Sequence, residues 1–150
     1  MEKISTIIPA YNSSETLEAA IGSVIEQGHG AMEILVVDDG SLDATAAVAE
    51  SFGPPVRCVR QGNRGAAAAR NRGIQEATGK WIAFLDADDV WLPGKISRQL
   101  DLVVRNPDLQ WVSGLLVFRQ KGLARESARP GRAELLRDGL LEDSWAALMR

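Results

Sequence analysis

Short apolar runs alternate with helix-like segments along residues 4–118. The apolar runs predict five buried strands, at residues 4–8, 34–37, 56–59, 81–85 and 110–118. Between them, apolar residues recur at helical spacing and predict helices from Ser13 or Ser14 to Gly28, from Asp43 to Phe52, from Ala66 to Gly79 and from Ile96 to Asn106. Strands that alternate with helices form parallel sheets, so we predict an α/β fold with a mostly parallel central sheet and helices on both faces.

The C-terminal part of the sequence follows this pattern less closely. Residues 119–132 are polar and basic with little periodicity, and residues 133–137 predict a short helix. A further helix is predicted to begin near Glu142, and residues 145–150 continue it without a stop signal. We therefore expect residues 1–150 to form a single domain that is truncated on its C-terminal side.

Composition excludes several classes of protein. The chain has 150 residues, a net charge of −3 and a pI near 5.2, which argues against a nucleic-acid binder. The single cysteine, Cys58, allows no internal disulfide, and the single histidine, His29, lies in a Gly-His-Gly turn. No apolar run approaches the ~20 residues of a membrane span, and no charged leader precedes the first strand. We expect a cytoplasmic protein.

Three carboxylates crowd the end of the fourth predicted strand, in the sequence Asp86-Ala87-Asp88-Asp89. Like charges this close raise each other's pKa, so we expect a cation among them. Mg²⁺ or Mn²⁺ takes oxygen ligands and commonly completes its coordination with water and substrate phosphate, which indicates a metal-diphosphate site at Asp86 and Asp88. The alternative is a solvated turn in which Asp89 caps the following segment.

Other polar residues are predicted to share the same cleft. Asp38-Asp39-Gly40-Ser41 ends the second strand, where Asp39 could bind a base or a ribose, although Asp-Gly is also a common turn pair. Tyr11 follows the first strand and could pack against a base or at the edge of the core. Arg70 could neutralise a diphosphate or pair with the acidic cluster. In parallel sheets, ligands bind outside the carboxyl ends of the strands, so these residues can meet there.

Four of these segments together resemble the family 2 glycosyltransferases, which have the GT-A fold. They are residues 5–12 (STIIPAYN), 36–41 (VVDDGS), 65–71 (GAAAARN) and 84–89 (FLDADD). The resemblance is close over residues 3–105 and looser beyond them. It implies that residues 1–118 form a nucleotide-sugar-binding part and residues 119–150 the start of an acceptor-side part.

The resemblance also implies the ligands and the site residues. The donor is most often a uridine diphosphate sugar, bound with Mg²⁺ or Mn²⁺. The residues that match the family's donor-site positions are Pro9, Tyr11, Glu15 and Asp39 for the nucleoside, Arg70 and Asp86 for the rest of the donor, and Asp88 with Asp86 for the metal, Asp88 as the direct ligand.

The reaction implied by the resemblance is inverting displacement of the diphosphate by an acceptor hydroxyl, with a carboxylate as general base. The acceptor would be a saccharide or a lipid-linked sugar. The basic residues within 119–132 could contact an anionic acceptor or the inner face of a membrane, or form a solvated loop. The family's general base commonly lies in a Glu-Asp pair well downstream. Glu142-Asp143 is the only such pair in this sequence, but it follows the fifth predicted strand too soon to match that position. We interpret it as a helix start, with the base beyond Arg150.

Two other classes of protein share some of these features. A response-regulator receiver domain has a similar fold and metal, but its acidic pair ends the first strand, whereas here a strand and a helix precede the pair. That class also requires a lysine on a later strand, which this sequence lacks. A nucleotidyltransferase of related fold and a donor-binding fragment without turnover remain alternatives.

Overall fold

The computed structural model describes residues 2–113 and, beyond them, the strand residues 117–118, 127–128 and 147–149. The strands are β1 (Ile4–Ala10), β2 (Met32–Asp38), β3 (Val56–Arg60), β4 (Trp81–Phe84), β5 (Trp111–Ser113), β6 (Val117–Phe118), β7 (Ser127–Ala128) and β8 (Ala147–Met149). The helices are α1 (Leu17–Ile25), α2 (Thr45–Ser51), α3 (Ala66–Glu76) and α4 (Lys95–Arg105).

A six-stranded sheet organises the chain, in the order β3-β2-β1-β4-β8-β5. The first four strands in sequence pair in parallel, whereas β8 runs antiparallel to both of its neighbours, β4 and β5. Strands β6 and β7 pair separately. The prediction of a mostly parallel sheet is therefore confirmed, with one antiparallel strand that the sequence pattern did not indicate.

Helices cover both faces of this sheet because successive side chains of a strand point to opposite sides. On one face, Ile4 and Ile8 of β1 belong to the core cluster that α1, α2 and α4 complete. On the other face, Ile7 belongs to a smaller cluster with Ala69 of α3. The small residues of α3 allow this second approach, and a Cβ atom added at Gly73 would lie 2.4 Å from Cγ2 of Ile7.

The C-terminal predictions need correction. Residues 145–150 were expected to continue a helix, but Ala147–Met149 forms β8 between β4 and β5. Residues with good helix propensity form a strand here because two neighbouring strands supply backbone hydrogen bonds. Within the strand predicted at 110–118, residues 111–113 form β5 and residues 117–118 form β6, and β7 lies within residues 119–132, for which the periodicity predicted no strand. The helices predicted at 133–137 and near Glu142 fall outside the described residues.

Two helix starts also differ from prediction. Helix α1 begins at Leu17, after Ser13 and Ser14, because the N–H groups of these serines donate to Thr45 Oγ1 (2.8 Å) at the start of α2 and to Asp43 Oδ2 (3.1 Å) in the loop before it. Asp43 also accepts from the N–H of Thr45 at 2.9 Å, two residues further on, so α2 begins at Thr45. Helices α1 and α3 end at Ile25 and Glu76, before the glycines that were expected to stop them.

Candidate functional site

The loops that follow β1, β2, β3 and β4 all leave the same edge of the sheet, because these four strands are parallel. The loops are residues 11–16, 39–44, 61–65 and 85–94. This edge is where open α/β sheets bind their ligands. The structure therefore brings the predicted residues Tyr11, Asp39 and Asp86 to one edge, although they are far apart in sequence.

The first two of these loops are joined by reciprocal hydrogen bonds. The N–H of Asn12 donates to Ser41 Oγ, and the N–H of Leu42 donates to Asn12 Oδ1, both at 2.9 Å. Asn12 has φ +48°, a backbone conformation that asparagine tolerates better than most residues. The sequence pattern did not indicate that Asn12 would connect these two loops. Tyr11, in the first of these loops, has 48% of its surface exposed, so its ring is accessible to a ligand.

Asp39 is almost fully buried, with 3% of its surface exposed. Its Oδ1 accepts from the Gln61 side chain at 2.7 Å and from the N–H of Arg64 at 2.9 Å, while Oδ2 accepts from the N–H of Gly65 at 2.7 Å. Burial alone would raise the pKa of Asp39, but these three hydrogen bonds outweigh it and lower the pKa. Asp39 is therefore an ionised anchor for residues 61–65.

The close contact between these loops also depends on Gly40. Its φ is +78°, and an added Cβ would lie 2.8 Å from the backbone nitrogen of Asn63. Any other residue would push the two loops apart, and the hydrogen bonds to Asp39 would lengthen. The neighbouring Asp38 is fully buried, with Oδ1 accepting from the N–H of Ser41 at 3.0 Å and Oδ2 lying 3.4 Å from Arg60 Nε.

Arg70 and Asp86 form an ion pair across the cleft edge, with 2.6 Å between Arg70 Nη2 and Asp86 Oδ1. The sequence left two partners open for Arg70, a diphosphate or the acidic cluster, and the structure contains the second of these contacts. Both side chains keep access to solvent, with 23% and 40% exposed. The pair therefore lies where a ligand anion can reach the guanidinium.

The acidic residues form a tight turn directly after β4. The N–H of Asp89 donates to the carbonyl of Asp86 at 3.0 Å, Ala87 is buried, and Asp88 and Asp89 are exposed. Partial desolvation, followed by the charges of Asp88 and Asp86, raises the pKa of the Asp89 carboxyl. Asp89 does not cap α4, whose N-cap is Gly94. The capping part of the alternative is therefore wrong for α4, whereas Asp88 and Asp89 in the turn are exposed to solvent, as that alternative expected.

The turn offers the chemistry that Mg²⁺ or Mn²⁺ prefers, namely hard carboxylate oxygens at a point of excess negative charge. Among the described residues, no group of three or more His, Cys, Asp or Glu side chains is arranged to hold a metal ion by itself. Asp86 and Asp88 therefore fit an ion whose other ligands come from water and a phosphorylated ligand, as is usual for Mg²⁺.

After the turn, the chain buries Trp91 between the exposed residues Val90 and Leu92. Trp91 belongs to the core, and its indole N–H has no hydrogen-bond partner. Lys95 Nζ lies 4.1 Å from the centre of the Trp91 ring and donates to Gln99 Oε1 at 2.9 Å. Burial lowers the pKa of Lys95 to about 8. Neither Lys95 nor Gln99 was indicated by the sequence pattern.

The remaining predicted residues have different positions. Pro9 is buried within β1 opposite Val37, whereas Glu15 is exposed on the loop before α1. Glu142 and Asp143 lie outside the described residues. His29 Nε2 is 2.9 Å from the carbonyl of Glu2, as expected for a loop residue. Within the described part of the chain, no helix combines the length and the apolar character needed to cross a membrane.

Known proteins that are similar to this chain include two from Escherichia coli and one with a solved structure. YibD of Escherichia coli K12, named as an uncharacterised glycosyltransferase, is 34% identical over 95% of this chain and 45% of that protein. WfgD of Escherichia coli, named as a UDP-Glc:α-D-GlcNAc-diphosphoundecaprenol β-1,3-glucosyltransferase, is 38% identical over 69% of this chain and 42% of that protein. The mannosyltransferase PcManGT of Pyrobaculum calidifontis, solved with GDP-Man and Mn²⁺, has a TM-score of 0.66 and 25% identity over 75% of this chain and 35% of that one.

These matches agree with the fold of the sheet and its helices. The chain spans less than half the length of the curated relatives described above. The match to PcManGT identifies the sheet and its helices as the GT-A type. The family model described as Glycosyl transferase family 2 matches residues 5–142, and this chain belongs to that family.

Proposed function

We propose that the chain is the donor-binding part of a glycosyltransferase that moves a sugar from a nucleotide diphosphate sugar to an acceptor hydroxyl. One observation carries the proposal. The Arg70–Asp86 ion pair and the exposed carboxylate of Asp88 lie at the same sheet edge as the loops that Asp39 and Asn12 hold. This edge offers a cation, carboxylates and an exposed aromatic ring, the groups needed for a diphosphate, a metal ion and a base.

Each part of the donor has residues proposed to bind it. Tyr11 is exposed and offers its ring to the base, and Glu15 on the following turn is exposed for a polar contact. Asp39 already binds residues 61–65, so its contact with the nucleoside would add to this structural role. Pro9 would contribute through the backbone, since it is buried within β1.

Arg70 is proposed to bind the diphosphate, and Asp86 and Asp88 to hold the metal ion, with Asp88 as the direct ligand. The ion would supply positive charge that stabilises the diphosphate as it leaves the sugar. Arg70 is a second cation at the same place, and guanidinium pairs well with phosphate oxygens. PcManGT, solved with GDP-Man and Mn²⁺, supports a divalent ion in this fold.

A uridine diphosphate sugar and a lipid-linked acceptor are the proposed substrates, and WfgD supports both by its name. We propose an inverting displacement in which a carboxylate removes the proton of the acceptor hydroxyl. That base is unassigned among the described residues. Residues 1–118 would form the donor part and residues 119–150 the start of the acceptor part. We therefore expect little or no transfer by residues 1–150, and robust turnover would place the base within them.

Titration calorimetry of UDP with Mn²⁺ and with EDTA tests the proposal. Wild type should bind UDP at least tenfold more tightly with Mn²⁺, and Asp88→Asn should lose this gain because the direct ligand is removed (about 1.4 kcal/mol). Asp101→Asn, at an exposed carboxylate on α4, is the matched control and should keep the gain. Equal wild-type affinity in both conditions would contradict the metal site.

A further inference from the structure

The acidic turn has two anchors, one on each side. Before it, the N–H of Leu85 donates to the carbonyl of Ile7 at 3.1 Å. After it, the N–H of Trp91 donates to Ser23 Oγ at 3.0 Å. Residues 86–90 therefore span the space between β1 and the C-terminal part of α1, and the second anchor is a side chain from another element.

A second side chain, located two residues after the end of α1, extends this contact. Gln27 Nε2 donates to the carbonyl of Leu92 at 3.1 Å, and Gln27 Oε1 accepts from the N–H of Ile96 at 3.2 Å. Ile96 lies in the first turn of α4, whose N-cap Gly94 has no side chain to satisfy the free N–H groups. Gln27 therefore caps α4 from the turn that follows α1.

Both side chains are also held by backbone carbonyls of α1. Ser23 is 7% exposed, and its hydroxyl donates to the carbonyl of Ala20 at 2.8 Å. Gln27 Nε2 also donates to the carbonyl of Ser23 at 3.1 Å. Leu17, Ile21 and Val24 bury the same face of α1 in the core. The partners of residues 91–96 are therefore held before any ligand arrives.

We infer that Ser23 and Gln27, which we call the α1 clamp, are positioning residues for the carboxylates that bind the metal. The clamp touches no ligand, and it acts by fixing the backbone that follows Asp88. This inference rests on the proposed function, because it concerns the same metal-diphosphate site. Helix α1 also connects the two parts of that site. It begins directly after the Tyr11 loop, and its C-terminal part binds the backbone that follows the acidic turn.

The test is calorimetry of UDP with Mn²⁺ and with EDTA on three variants of the full chain. Gln27→Met keeps the volume of the side chain but removes its hydrogen bonds, and Ser23→Ala removes the hydroxyl alone. The matched control is Gln75→Met, at an exposed glutamine on α3. Gln27→Met should lower the Mn²⁺-dependent gain in affinity roughly 10-fold, with the affinity in EDTA unchanged, because groups that orient metal ligands commonly contribute this much. Ser23→Ala should act in the same direction, and Gln75→Met should match wild type.

Hydrogen exchange of residues 86–96 supplies a readout that needs no ligand. It should quicken in both clamp variants and stay unchanged in Gln75→Met. If Gln27→Met fails to fold, Ser23→Ala decides by the same two measurements.

Three results would overturn the inference. An unchanged Mn²⁺-dependent gain in folded variants would overturn the clamp alone. Equal losses with Mn²⁺ and with EDTA would indicate a purely structural role. A wild-type chain without any Mn²⁺-dependent gain would overturn the metal site itself, and with it the clamp's role towards that site.

Discussion

Arg70 Nη2 lies 2.6 Å from Asp86 Oδ1, and this contact joins α3 to the acidic turn at the edge of the sheet. The pair does little for stability, because partly exposed ion pairs contribute about 0–1 kcal/mol. The pair matters for ligand binding instead, because Asp86 lies in the same turn as Asp88, the proposed metal ligand. A bound diphosphate would compete with Asp86 for the Arg70 guanidinium. Arg70 is therefore the residue at which phosphate binding can be separated from nucleoside binding.

Arg70→Met should weaken UDP binding about 10-fold while leaving uridine binding unchanged, because only the diphosphate would contact the guanidinium. Calorimetry with both ligands measures this difference, and the melting temperature should barely change. Arg72→Met on the same helix is the matched control, since Arg72 pairs with Glu76 at 2.8 Å on the surface. A parallel loss of uridine affinity would show that Arg70 does not act on the phosphates.

Asp39→Asn should reduce binding of UDP and uridine by similar factors, in contrast to Arg70→Met. An asparagine in the same orientation directs an N–H₂ group at the N–H of Gly65, so one of three hydrogen bonds is lost inside the protein. The free energy of unfolding should fall by about 2 kcal/mol, as expected for an unsatisfied buried group. Urea denaturation and calorimetry measure the two effects. Full uridine affinity in a folded variant would remove Asp39 from the proposed nucleoside site.

Gly73→Ala should destabilise the protein, and Gly22→Ala should stabilise it. A Cβ at Gly73 would lie 2.4 Å from Cγ2 of Ile7, so the helix or the strand must shift at a cost of about 1–3 kcal/mol. Gly22 lies in α1 with nothing within 4 Å of an added Cβ, and alanine there should contribute about 0.5–1 kcal/mol. Chemical denaturation compares them. Ile7→Ala removes the Cγ2 atom that the new Cβ would meet, so a destabilisation by Gly73→Ala that is equally large in the Ile7→Ala variant would point to another cause.

The sequence predicted the central strands well because each is a continuous apolar run bounded by turn residues. Strand β8 could not be predicted in the same way. Ala147–Met149 is apolar and compatible with either a helix or a strand, and its state depends on β4 and β5, which are distant in sequence. The local pattern contains no information about those partners.

The site shows the same limit at the level of single residues. Asp39 and Arg70 could be proposed from their neighbours in sequence, but the bonds from residues 61–65 to Asp39 exist only when two loops meet. Ser23 and Gln27 gave no signal, because a polar residue on a helix is usually solvated. Their role depends on backbone groups of residues 91–96, which no side-chain pattern reveals.

Glu33 should make stability depend on pH at the opposite edge of the sheet. Its carboxylate accepts from the hydroxyl of Ser5 and from the N–H (2.6 Å) and hydroxyl (2.8 Å) of Thr78. Burial raises the pKa of Glu33, but these hydrogen bonds outweigh it and lower the pKa from 4.5 to about 2. Because the folded pKa lies below the unfolded value, the stabilisation is complete above about pH 4.5 and is lost as the pH falls towards 2.

Glu33→Gln should therefore lower the free energy of unfolding by roughly 2 kcal/mol at pH 6 and by progressively less below pH 4.5. Urea denaturation of both proteins at several pH values measures the difference. Glu26→Gln, at an exposed carboxylate just after α1, should show almost no difference at any pH. If the difference between wild type and Glu33→Gln stays constant down to pH 2.5, the charge on Glu33 is not what stabilises this edge, and the hydrogen bonds act equally well on a neutral side chain.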